Sequence, residues 1–279
     1  MFTGLVVGVL LLLISVFMIF QTTCKVWGAE KPANATQQGI DVSSHQGKID
    51  WEQVKNSALA DYAIIRCGYG VNQTDKDDKY WDYNSSECER LGIPYGTYLY
   101  SGADTTAKAK SEAEHVVRLL QGKNLTYPIY YDMEADMLNQ LSSTQIGNIA
   151  KTFLNTMESY GYKNVAVYSN KYLFETKLTA SVFSDYPKWI AQHSNKCTYR
   201  GSYHMWQYST QGVIPGISEK VDLNYKIGNW TYAGYSSAKK TVVVKPKATT
   251  IKSLRKSGKK AVKITYKKVS GVSGYQIYM

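Results

Sequence analysis

From residue 39 onward the chain repeats one pattern, an apolar run closed by turn residues and, in most cases, a helical stripe before the next run. Strand-like runs fall near 39–43, 62–69, 94–101, 128–134, 164–169, 187–192, 204–209 and 221–225. Between them, Thr105 to Leu120 carries Ala109, Ala113, Val116, Val117 and Leu120 on one face, with Gly122 as a stop. Ser142 to Gln145 reads as a capping box ahead of Ile146, Ile149, Phe153, Met157 and Tyr160, and Gly161 ends that helix. Shorter helices are expected at 51–57, with Asp50 as N-cap and Trp51 in the first turn, and at 80–91 and 171–178. Strands that alternate with helices need crossovers and form a mostly parallel sheet; eight strands in about 190 residues predict closure into a barrel. Helices thin out after residue 180, so a full ring of eight is not expected. The expected fold is α/β: an irregular (β/α) TIM-like barrel with eight strands and about five helices. An N-terminal hydrophobic helix and a partial β-sandwich tail are expected to flank it.

The fourth run, Pro128-Ile129-Tyr130-Tyr131-Asp132-Met133-Glu134-Ala135, closes on two acids one residue apart. Side chains at i and i+2 of a strand share a face, roughly 7 Å apart at Cα. Two carboxyls so placed compete for protons, which raises one pKa and leaves the other group ionised, as acid/base work on a glycosidic bond requires. On a solvated strand end the same pair would carry no chemistry, so the other acids decide. In a barrel of this kind catalytic groups gather at the C-terminal ends of the strands. Asp41 lies in the first strand and Asp222 in the last, and closure makes those strands neighbours, so three separated acidic sites converge on one mouth. Asp136 reads as a loop residue outside the chemistry.

His45, His115, His193 and His204 show no metal-ligand spacing, and no metal or organic cofactor is implied. His45, close to Asp41, reads as a structural hydrogen-bonding group and His115 as a solvated helix residue. His193 and His204 flank strand ends and can face the cleft. Cys67 and Cys88 read as buried free thiols, and no disulfide framework is expected, which suits a Gram-positive exported protein.

The formal net charge of +11 is unevenly spread. Residues 39–228 hold 19 Lys+Arg against 21 Asp+Glu, whereas 229–279 hold 12 Lys+Arg and no acid. The main domain therefore needs no nucleic acid or other polyanion. The tail can attract anionic polymers, or simply present a solvated basic face. The 24 Tyr and 6 Trp suit sugar stacking as well as core packing. Residues 4–20 carry no charge and read as a signal peptide or an uncleaved membrane anchor, although Met1-Phe2-Thr3 lacks the usual basic residues. The expected organisation is this segment over 1–24, a linker over 25–38, a catalytic barrel over 39–228, a linker over 229–246 and a tail module over 247–279. Export would place the protein outside the cell, secreted or held at its surface.

Taken in order, several motifs resemble the N-acetylmuramidase lysozymes of glycoside hydrolase family 25. They are Gly39-Ile40-Asp41-Val42-Ser43-Ser44-His45-Gln46-Gly47, Ala63-Ile64-Ile65-Arg66-Cys67-Gly68-Tyr69-Gly70, Gly92-Ile93-Pro94-Tyr95-Gly96, and Asp132-x-Glu134. Tyr168-Ser169-Asn170, Trp189-Ile190-Ala191, Trp206-Gln207-Tyr208 and Val221-Asp222-Leu223-Asn224 continue the likeness to about residue 228. The resemblance implies cleavage of the β-1,4 bond between N-acetylmuramic acid and N-acetylglucosamine in peptidoglycan glycan strands. It also implies Glu134 as general acid and Asp132 as support for the substrate's 2-acetamido group in a substrate-assisted step, with Asp41 and Asp222 lining the cleft as base or stabiliser. Tyr69, Tyr100, Tyr168, Trp189 and Gln207 are candidate sugar contacts, each equally open to a packing role. The alternative function is a non-catalytic wall-glycan-binding protein on the same barrel. The tail, with Ala261-Val262-Lys263-Ile264-Thr265-Tyr266, resembles the opening strands of a fibronectin type III-like module, which Met279 would cut short.

Overall fold

A computed structural model describes residues 29–229 and the strand residues 251–256 and 262–266. The expected hydrophobic helix over 4–20 lies outside the described residues. Eight strands close into a barrel in sequential order. They are β1 (Ala35–Val42), β2 (Tyr62–Tyr69), β3 (Tyr95–Tyr100), β4 (Ile129–Asp132), β5 (Val165–Asn170), β6 (Lys188–Ala191), β7 (Met205–Gly212) and β8 (Val221–Ile227). Helices α1 (Trp51–Ser57), α2 (Trp81–Leu91), α3 (Thr106–Leu119), α4 (Ser143–Ser159), α5 (Lys171–Thr176) and α6 (Val182–Asp185) cover the early crossovers. Five of these were expected; the sixth, α6, is a single turn with no stripe long enough to read. Among the described residues no helix is long and apolar enough to cross a membrane.

Neighbouring strands from β1 to β7 run parallel, and β8 runs antiparallel to both β7 and β1. The reason is chain length. Only residues 213–220 join β7 to β8, fewer than the dozen or so that a parallel crossover needs. A hairpin is the remaining solution, and it turns the start of β8, not its end, toward the mouth. β1 also begins four residues earlier than the expected barrel boundary, because Ala35 and Gln37 pair with Ile227 and Lys226 of β8.

Inside the barrel, Tyr62, Ile64, Tyr127, Tyr130, Ala166, Tyr168, Trp189, Ala191 and Met205 form one buried cluster. Trp189 stands at its centre, with the rings of Tyr168 and Tyr130 at 4.4 Å and 4.9 Å. The tyrosine-rich composition thus serves the lumen first, because flat rings fill a cylinder that small aliphatics would leave hollow. Tyr127 donates to Gln37 at 2.6 Å and Tyr168 to Gln207 at 3.0 Å, whereas the Tyr62 hydroxyl is buried without a hydrogen-bond partner among the described residues. Cys67 and Cys88 are buried free thiols.

The expected caps are present. Asp50 accepts from Gln53 N at 3.1 Å, and Ser142 and Gln145 form a capping box. Helix α3 departs from its reading as a simple amphipathic stripe, for it buries Glu112 and His115 completely. Glu112 accepts from Tyr131 Oη at 2.6 Å, Gly102 N at 2.7 Å and Ser101 Oγ at 2.9 Å. His115, expected in solvent, is instead locked between Gly70 O at 3.0 Å and Asp77 at 2.7 Å. Both tie α3 to loops at the strand ends. Helical periodicity could not show this, since it marks a polar residue as outward without seeing what waits there.

In the tail, β9 (Ile251–Lys256) and β10 (Val262–Tyr266) pair antiparallel. This second unit spans Ser237–Met279.

Gly39 pairs in register with Tyr62, and a Cβ there would stand 2.4 Å from the Tyr62 ring, which is itself stacked on Tyr127 at 4.3 Å. Neither ring can retreat from a filled lumen. Gly39→Ala is expected to lower stability by about 1–3 kcal/mol, read as a reduced urea midpoint; an unchanged midpoint would show that the lumen has slack.

Candidate active site

The strand ends bring the four acids together. β4 ends its regular pairing at Asp132, and Glu134 lies two residues beyond it rather than within it. The chain stays tied down past that point: Met133 N donates to Tyr168 O and Ser101 N to Asp132 O, both at 2.9 Å. Ser101 in turn donates to Glu112, so the buried glutamate of α3 steadies the end of β4. Asp41 and Asp222 are direct register partners on β1 and β8. A single register row, Tyr69–Tyr100–Asp132–Tyr168–Trp189, crosses five strands.

Donor-only groups fix the orientation of the site. Trp189 Nε1 can only donate, and it donates to Asn224 Oδ1 at 2.8 Å. That turns Asn224 Nδ2 toward Asp41 Oδ2, at 2.7 Å. Gln207 Nε2 reaches the same oxygen at 3.0 Å and Asp222 Oδ2 at 3.3 Å. Gln207 Oε1 accepts from Tyr168 Oη and meets His193 Nε2 at 2.9 Å. Trp189, Gln207 and Tyr168 are 1, 3 and 7% exposed. They stand behind the carboxyls rather than on an open face, and Trp189 has little ring area left for a sugar. Tyr69 is 38% exposed and Tyr100 half-buried, so both remain available to a ligand.

Electrostatics follow from this burial. Desolvation raises the Asp132 pKa well above the usual carboxylate value, with repulsion from Glu134 and Asp41 adding to it and Arg66 opposing it. Glu134 is raised by burial and by Asp41, against the pull of His193. The expected split, one group raised and the other left ionised, is therefore replaced by an upward shift of both. Asp132 is the more deeply buried of the two, and burial is the largest cause of the rise in both. Its Oδ1 has no hydrogen-bond partner among the described residues. Asp41 is raised by burial, with Asn224 and Gln207 partly compensating. Asp222 is pushed up to about 8 by burial and by Asp41, to which it is hydrogen-bonded.

Sequence reasoning passed over Arg66, Asp78 and Asn224. Arg66 donates through Nε to Asp78 at 2.8 Å and through Nη2 to Ser44 Oγ at 2.8 Å. A lone charge inside the apolar run Ala63-Ile64-Ile65-Arg66-Cys67 was the available signal. For Asn224 the signal was its i, i+2 spacing from Asp222, which puts both on one strand face. His45 is exposed and is not among the partners of Asp41, contrary to expectation. Of the two histidines at strand ends, His193 joins the acids. His204 lies at the opposite end of the barrel, just before β7, where it meets Tyr130 Oη at 3.1 Å, and burial lowers its pKa to about 2. Asp136 is exposed in a 3-10 turn.

The sequence model of glycosyl hydrolases family 25 matches residues 40–217. The chain is 30% identical over 188 residues to the autolytic lysozyme of Clostridium acetobutylicum, covering 67% of this chain and 55% of that protein. It is 27% identical over 199 residues to the uncharacterized protein YegX of Escherichia coli K12, covering 69% and 70%. The solved structure of the modular autolysin LytC from Streptococcus pneumoniae, in complex with a synthetic peptidoglycan ligand, is similar at a TM-score of 0.62 and 33% identity, covering 68% of this chain and 46% of LytC. The chain thus spans about half the length of the autolytic lysozyme and of LytC.

An acid whose pKa rises on folding binds more protons in the folded than in the unfolded chain, so stability falls as pH climbs between the two values. For Asp222 that window runs from the ordinary 3.8 to about 8. The urea midpoint of the protein is expected to fall from about pH 5 to about pH 8, and Asp222→Asn to reduce the fall. A variant with the same slope as the parent would show that Asp222 holds no proton there.

Proposed function

The chain belongs to glycosyl hydrolases family 25, and from that membership we propose that it is a lysozyme-type peptidoglycan hydrolase. The bond cut is the β-1,4 link from N-acetylmuramic acid to N-acetylglucosamine. The observation that carries this reading is the convergence on one barrel mouth of Asp41 from β1, Asp132 and Glu134 from the end of β4, and Asp222 from β8. The similarity to an autolytic lysozyme and to an autolysin crystallised with a peptidoglycan ligand supports the substrate.

In this reading Glu134 is the general acid that protonates the leaving oxygen. Asp132 accepts the N–H of the 2-acetamido group on its unpartnered Oδ1, orienting the carbonyl toward the anomeric carbon. The encounter also redistributes charge. A donor at Asp132 favours its ionised form, and a charged Asp132 raises the proton affinity of its neighbour Glu134. Substrate thereby moves the proton to the group that must deliver it. Asp41, held by two amide donors, and Asp222 stabilise positive charge developing at the sugar or assist the incoming water. Tyr69 and Tyr100, beside Asp132 in the same register row, are the proposed sugar contacts on the open side.

The wall substrate and the apolar segment at 4–20 support an exported enzyme, secreted or anchored. The barrel over 39–228 is the proposed catalytic domain. The β9–β10 hairpin, in a segment of 12 basic residues and no acid, is read as part of a fibronectin type III-like module that meets anionic wall polymers.

Purified cell walls should lose turbidity and release reducing N-acetylmuramic ends. Glu134→Gln is expected to cut that release about 100-fold or more without loss of fold. Asp132→Asn should lower kcat more than it raises KM. Sedimentation with walls but no new reducing ends from the parent protein would refute hydrolysis and favour a binding role.

A further inference from the structure

Gln207 uses every hydrogen-bonding valence that an amide side chain possesses. Its nitrogen faces Asp41 at 3.0 Å and Asp222 at 3.3 Å, and its oxygen faces Tyr168 Oη at 3.0 Å and His193 Nε2 at 2.9 Å. The amide orientation is fixed from outside the residue. Asn224, set by the Trp189 N–H, already donates to Asp41 Oδ2, and Gln207 Nε2 meets the same oxygen as a second donor. An amide carbonyl cannot donate, so the contact with His193 requires a proton on Nε2. Tyr168 and His193 therefore fill the two lone pairs of one oxygen, and Gln207 is 3% exposed.

We infer that His193 is a positioning residue of the barrel mouth: its Nε2–H closes the last valence of Gln207, and through that amide it holds Asp41 and Asp222 as a proton-sharing pair. His193 comes from the loop that follows β6. Asp41 on β1, Glu134 beyond β4, Tyr168 on β5 and Asp222 on β8 are the titratable groups around the Gln207–His193 pair. Losing one of two donors lets the amide swing, and its longest contact, to Asp222, yields first. Asp41 then loses part of the donation that offsets its burial.

The kinetic part of the proposal rests on the hydrolase reading; the titration part does not. The test uses the full chain labelled with carboxyl-¹³C aspartate, with Asp41→Asn and Asp222→Asn identifying the resonances. His193→Phe is expected to move the titration of the pair upward in the absence of any substrate, and to lower kcat on cell walls about tenfold at unchanged KM. His193→Gln supplies an N–H to the same oxygen and should restore both. An unmoved titration in His193→Phe would overturn the proposal. So would equal damage in His193→Gln, or a change confined to KM, which would mark a substrate contact instead. Should His193→Phe fail to fold, Tyr168→Phe, which removes the other donor from that oxygen, must shift the same titration upward; no shift would equally overturn it. A parent protein inert on walls would defeat the hydrolase reading while leaving the titration to decide the role of His193.

Discussion

Repulsion among carboxyls, confined by burial, is the interaction on which this structure turns. Asp41 and Asp132 are 5 and 3% exposed, and Asp222 and Glu134 lie beside them. Left ionised together, they would drive the strand ends apart. The fold contains them in two ways. Burial raises the pKa of all four and so favours their protonated forms. Amide donors are then aimed at the most crowded oxygen, Asp41 Oδ2, by Asn224 and Gln207. Arginine is kept one step back. Arg66 opposes the shift of Asp132 but is itself paired with Asp78, so it moderates the charge without cancelling it. A site built this way shifts its carboxyls toward the protonated form, which a general acid requires.

Much of the barrel was legible because it is written in short-range patterns. Period-two runs and capped helical stripes depend on a residue and its sequence neighbours, and Asp50, Ser142 and Gln145 cap where those patterns place caps. The convergence of Asp41 with Asp222 was legible too, since closure brings the first and last strands together. What stayed hidden depends on partners across the barrel. Glu112 and His115 carry polar signatures on a helix, yet Tyr131, Ser101 and Asp77 meet them from other elements and make burial tolerable. For Trp189 and Gln207 the sequence left sugar contact and packing equally open, and ring packing and donor geometry put both behind the carboxyls. The direction of β8 was a matter of counting the eight residues of its connection.

The supporting layer also explains why the lumen is aromatic. A barrel filled with branched aliphatics offers the acids above it nothing to hold. Here the filling has polar tips. Trp189 packs against Tyr130 and Tyr168 and sends its single N–H upward to Asn224, while the Tyr168 hydroxyl reaches Gln207. Packing and orientation are then one event, because the rings that exclude water from the barrel are the ones that aim the amides.

The hairpin that reverses β8 has a consequence for when the site comes into being. Asp41 and Asp222 meet across the seam that joins the first strand to the last, a contact between distant parts of the chain that forms late because so much loop must be closed first. No product of synthesis shorter than 222 residues contains both halves of that pair. A nascent polypeptide therefore lacks the assembled pair until the last strand has emerged and the ring is sealed.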